Sequence, residues 1–137
     1  MNDSTRRLLA GVFGVIVAAI AGSAVGATIT TAYGLPQAYA QGISMAFIAP
    51  AVMLTSLARR DFRREAYYRD RGREGLLYDA ALTGAVALLG GVAGAAVVVT
   101  LGVGETLSAL GPFVVGMLAG AAVFIARNRA YYERSPF

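Results

Sequence analysis

The sequence predicts an all-α fold, an integral membrane four-helix bundle, and three observations carry that prediction. Hydrophobic residues make up 57% of the 137-residue chain and charged residues only 15%, where a soluble domain carries about 25% charged residues. The charge deficit is confined to long uncharged blocks, residues 8–58, 80–101 and 107–126. These blocks are rich in Ala, Leu, Val and Gly and do not alternate apolar with polar residues, so they read as helices and not as barrel strands.

The first block is too long for one span. It is broken at Tyr33-Gly34-Leu35-Pro36, where Gly-x-Pro is turn chemistry and Pro36 suits the first turn of a new helix. This gives a first span at residues 8–33 and a second at 37–58. A charged segment, 59–79, separates them from a third span at 80–101. Gly102-Val103-Gly104-Glu105-Thr106 forms a tight loop, a fourth span covers 107–126, and a basic tail covers 127–137. Each block meets the roughly 20 helical residues that the hydrocarbon core demands. All of residues 1–137 read as one membrane domain.

Charge placement predicts orientation. All twelve basic residues are arginine: Arg6 and Arg7 precede the first span, seven lie within 59–79, and Arg127, Arg129 and Arg134 follow the fourth. The two remaining loops hold none. By the positive-inside rule both termini and segment 59–79 are cytoplasmic in a multi-pass protein of the cell membrane. Thr5-Arg6-Arg7-Leu8-Leu9 followed by an apolar stretch also resembles a twin-arginine export signal with small residues near Ala27 and Ala40, but the length of the stretch suits a span better.

Small residues recur at helical spacing. In the first span Ala10, Gly14, Ala18, Gly22, Gly26 and Thr30 fall every fourth residue. Gly22-x-x-x-Gly26 is repeated as Gly90-x-x-x-Gly94 and Gly116-x-x-x-Gly120, and the second span has Ala38, Gly42 and Ala46. Lipid supplies no hydrophobic drive between helices, so small residues that let backbones approach mark packing faces. Pro50, inside the second span, predicts a kink, with a static bend favoured over a functional hinge.

The two halves rhyme. Ala58-Arg59-Arg60 and Ala66-Tyr67-Tyr68-Arg69 echo Ala126-Arg127-Asn128 and Ala130-Tyr131-Tyr132-Glu133, and Leu8-Leu9-Ala10-Gly11 echoes Ala81-Leu82-Thr83-Gly84. Two-span units keep one orientation, so a duplicated hairpin would be a parallel repeat. The competing explanation is that apolar helices resemble one another cheaply.

Chemistry is sparse. The spans contain no Asp, Glu, Lys, Arg or His, and the chain has no Cys or His. Proton relays place an ionisable residue at membrane depth, and the usual zinc, haem and iron–sulfur ligands are Cys and His. The expectation is no enzyme, no catalytic residue, no metal and no cofactor; Met45, Met53 and Met117 read as packing. Hydroxyls within the spans are expected to bond back to their own helices, while Gln41 needs a partner across helices or at the interface.

In segment 59–79 the expected ion pairs are Glu65 with Arg69 and Asp61 with Arg64, and the second helix is expected to run on as far as Gly72. Arg63, Arg64, Tyr67, Tyr68, Tyr131 and Tyr132 are the candidate contacts to lipid headgroups or to a partner subunit. Nucleic acid is not an expected partner, because acidic residues dilute the basic patch. The partners expected are membrane lipids and other membrane subunits or further copies of this chain. Two functions fit: an accessory or structural subunit of a larger membrane assembly, or a small self-associating, holin-like pore or facilitative transporter.

Overall fold

A computed structural model describes residues 2–133. They form four helices, α1 (Asp3–Tyr33), α2 (Gln37–Ser56), α3 (Arg64–Leu101) and α4 (Glu105–Asn128), followed by a 3-10 turn at Arg129–Tyr131. All four are long and apolar enough to cross a membrane.

Local chemistry sets the ends. The Asn2 side chain accepts a hydrogen bond from the Ser4 amide and caps α1, with Asp3 in the first turn. α1 stops at Gly34, which takes φ 61°, and the Leu35 amide donates back to the Thr30 carbonyl at 2.9 Å. α3 stops the same way at Gly102, also φ 61°, with the Val103 amide donating to Val98 at 3.4 Å. Both are left-handed glycine caps, a conformation that side chains disfavour. Each cap is followed by one apolar residue and then by the residue that opens the next helix, Pro36 or Gly104. α2 remains one helix through Pro50, and α4 through Pro112.

The expected continuation of the second helix to Gly72 does not occur. α2 ends at Ser56, and the Ala58 and Arg59 amides turn back to Thr55 and Ser56. Phe62, buried among aromatic rings, draws the chain inward. A new helix then begins at Arg64, sixteen residues ahead of the uncharged stretch that starts at Ala80.

α2 is the central element. It packs against α1, α3 and α4, and α3 packs against α4, whereas α1 touches α2 alone. Neighbouring backbones approach through glycine. A Cβ placed on Gly42 would lie 2.6 Å from the Gly91 carbonyl, and one on Gly91 would lie 2.6 Å from the Gly42 oxygen. Gly26 faces the Ala40 carbonyl, Gly22 the Ser44 backbone, Gly90 Ala119, and Gly94 Pro112. Gly116 and Gly120 lie against Met45 and Ala49.

Small residues fill much of the interior beside Met45 and Met53, and many large apolar side chains face outward. Ala49, Ala87, Ala95, Ser44 and Thr83 are buried, while Leu8, Phe13, Ile20, Leu89, Leu101 and Leu118 are exposed. A water-soluble helix shows the reverse, a polar face outward. Helices that are apolar all round and tightest at glycine match what lipid as solvent requires.

Candidate functional site

Polar side chains converge at the arginine-rich end of the bundle. The organising residue is Asp79, 1% exposed. Its Oδ2 accepts from the Tyr67 hydroxyl at 2.9 Å and from Asn128 Nδ2 at 3.0 Å. Its Oδ1 accepts from Arg127 Nε at 2.9 Å. The Arg127 guanidinium also lies 4.8 Å from the centre of the Tyr78 ring, a cation–π arrangement.

Tyr67 and Asp79 share α3 yet are twelve residues apart, about 18 Å along a straight helix. Gly72 makes the contact feasible. Its φ of 62° and ψ of −162° interrupt α3, in a region open essentially to glycine. The short segment before it folds back over the end of the bundle, so that Tyr67 reaches Asp79.

Donors decide the charge state of Asp79. Burial alone would raise its pKa; the hydrogen bonds from Arg127, Asn128 and Tyr67 outweigh that and hold it below the ordinary carboxylate value. Tyr67 is shifted upward, first by burial and then by its bond to Asp79. Asn128 Nδ2 donates to the Phe124 carbonyl as well, while Asn128 Oδ1 is buried with no hydrogen-bond partner among the described residues. Arg71 Nη2 donates to the Arg127 carbonyl at 3.2 Å, satisfying one open acceptor at the end of α4.

An aromatic cluster seals this network. Phe62 stacks on Phe124 and meets Tyr67, Tyr131 and Tyr132, with ring centres 5.1–6.3 Å apart. Backbone bonds fasten the chain after α4 to the loop after α2: Arg63 amide to Tyr131 carbonyl at 2.7 Å, and Glu133 amide to Asp61 carbonyl at 2.9 Å.

The six candidate contact residues thus separate. Arg63 and Tyr68 are exposed, and Arg64, Tyr131 and Tyr132 are half-buried. Tyr67 is fully buried, with its hydroxyl engaged by Asp79, and so belongs to the interior. The expected ion pairs are replaced by shorter-range ones: Arg59 takes Asp61 at 3.1 Å and Arg69 takes Asp70 at 3.3 Å. Asp79, Asn128 and Phe62 were not singled out by the sequence as site residues, and Gly72 entered only as the expected end of the second helix. Asp79 gave one signal, a lone carboxylate abutting the third apolar block.

The small-residue row of the first helix is also revised. Gly22, Gly26 and Thr30 are buried and Ala18 is half-buried, but Ala10 and Gly14 are exposed, and a Cβ on Gly14 would meet nothing within 4 Å. Each four-residue step advances about 40° beyond a full turn, so the row rotates away from α2. The contact passes instead to Gly11, whose added Cβ would lie 3.1 Å from Thr55.

The expected back-bonding of span hydroxyls is present. Thr28, Thr30, Ser44, Thr55 and Thr100 donate to carbonyls three or four residues earlier. Thr83 instead donates across helices to Met53 Sδ at 3.5 Å. Gln41 is half-buried at the opposite end, beside an open cleft that also holds Glu105 and Ser108. No family model matches the chain, and neither curated proteins nor solved structures give a match.

Proposed function

We propose that this chain is a multi-pass membrane protein, with its arginine-rich end in the cytoplasm, that serves as a non-catalytic accessory or structural subunit of a larger membrane assembly. The observation that carries this reading is the placement of α1. A 31-residue apolar helix is seated on α2 alone, which leaves most of its surface to lipid or to a neighbouring subunit. The α2–α3–α4 core is filled by side chains and close backbones, and the buried charged network at its arginine-rich end is engaged in holding the helices together.

The bundle also supports a duplicated hairpin in parallel repeat. The glycine caps at 34 and 102, the pair Gly22 and Gly26, and the pair Gly90 and Gly94 all share one 68-residue offset. The halves differ in packing, since α3 touches both α2 and α4 while α1 touches only α2.

Purification in mild detergent, with identification of the proteins that accompany the chain, tests the function. Stoichiometric larger subunits are the expected result. A homo-oligomer that conducts ions or leaks solutes from liposomes would replace this reading with the self-associating pore.

A further inference from the structure

An open cavity of about 450 Å³ lies at the arginine-rich end, between the start of α1, the loop after α2 and the first turn of α3. Arg7, Arg59, Arg63, Arg64 and Arg69 line it, with Glu65 the one acidic side chain on its wall among the described residues. Arg59 and Arg69 are partly neutralised by Asp61 and Asp70. Among the described residues Arg7, Arg63 and Arg64 form no ion pair. Three guanidiniums from two separate elements therefore line one concave space without an ion-pair partner, against the single carboxylate of Glu65.

The wall of the cavity is not uniformly polar. Leu57 and Phe62, both buried, contribute to it, at the level where α2 leaves its apolar stretch. No side chain caps the first turn of α3 on the same wall, so its open amides add to the positive field. Guanidinium suits phosphate because its planar fork offers paired donors to two oxygens.

We propose that this cavity binds the phosphate of an anionic phospholipid, with Arg7, Arg63 and Arg64 holding the headgroup and Leu57 and Phe62 bordering the first part of the acyl region. The proposal rests on the membrane reading above, and it makes the arginine cluster a defined lipid site in place of a diffuse anchor.

The test uses the full chain, reconstituted first in phosphatidylcholine nanodiscs and then in discs that also contain phosphatidylglycerol. Lipid retained on release from the disc is counted by native mass spectrometry. Phosphatidylglycerol should be retained in preference to phosphatidylcholine. R63Q/R64Q should reduce that retention about 10-fold, the loss expected for one or two charge-assisted hydrogen bonds. R7Q, on a different helix, should lower it in the same direction. R60Q/R73Q removes the same charge outside the cavity and should change retention less than about 2-fold. Circular dichroism melts of each variant confirm that the fold is intact.

Competition by millimolar inorganic phosphate would support the phosphate chemistry and assign it to a soluble source. Equal losses in both double variants, or no preference for phosphatidylglycerol in the parent chain, would overturn the site. So would retention of an acidic protein through Arg63 and Arg64 in lipid-free preparations. A chain that fails to enter phosphatidylcholine discs at all would instead refute the membrane reading.

Discussion

Asp79 shows how one side chain can hold together the end of a bundle. It collects donors from the folded-back start of α3 and from the last turn of α4, so its removal affects three contacts at once. Breaking a buried ion pair from one side leaves the other charge without compensation. Asp79→Asn should therefore lower unfolding free energy by about 2–4 kcal/mol, somewhat less than full truncation, because the amide keeps one acceptor. Tyr67→Phe removes a single hydrogen bond and should cost about 1–2 kcal/mol. The pH dependence follows from the direction of each shift. The pKa of Asp79 is lowered on folding, so its contribution is complete above the unfolded value of about 4 and is lost as pH falls through the folded value. The pKa of Tyr67 is raised, so its contribution holds below about 10 and is lost above it. Melts of the parent chain in detergent should stay level between these limits and drop at both ends. D79N should lack the acid drop that Asp79 contributes; an unchanged acid limb in D79N would show that other carboxylates control it.

At the scale of elements, the close approaches that define the bundle are backbone to backbone, and their sensitivity should follow geometry and not sequence spacing. Gly26 and Gly14 occupy the same every-fourth row, yet a side chain at 26 would collide with the Ala40 carbonyl while one at 14 has open space. Gly26→Leu should destabilise by at least the 1–3 kcal/mol typical of overpacking, and Gly14→Leu should be neutral within about 0.5 kcal/mol. Equal effects in thermal melts would mean that α1 does not sit on α2 as described. Gly72 carries a different constraint. At φ 62° and ψ −162° an alanine should cost about 1–3 kcal/mol, and its effect should shrink in a Tyr67→Phe background, because the break exists to bring Tyr67 to Asp79. The contrast between these positions marks what the sequence could reveal. The helices, their number and the turns at Gly34 and Gly102 were legible, because uncharged length and glycine caps are local signals. The glycine pair at 42 and 91 was not, since nothing in either segment encodes which helix lies opposite. The Asp79 network was hidden for the same reason: its four members are scattered over 67, 79, 127 and 128, and a glycine inside a charged segment does not announce that the chain folds back there.

For the whole molecule the governing question is which side of the membrane each end occupies. The polar network, the aromatic seal and the arginine cavity lie together at one end, while the short turns at Gly34 and Gly102 close the other. Moving arginines across a bilayer costs more than leaving them on the side of synthesis, so the arginine-rich end should be cytoplasmic. The chain has no cysteine, which makes single-cysteine labelling clean. Position 104 suits the outer reporter, because Gly104 has an ordinary extended φ of −62° and free space around it. Arg73, exposed and one residue past the Gly72 break, suits the inner reporter; Gly72 itself would be strained by any side chain. In intact cells an impermeant maleimide should label Gly104→Cys and spare Arg73→Cys, and permeabilisation should expose both. Labelling of Arg73→Cys from outside would invert the bundle. It would place the arginine cavity and the Asp79 network outside the cell, and neither the proposed lipid site nor a cytoplasmic contact surface would survive that result.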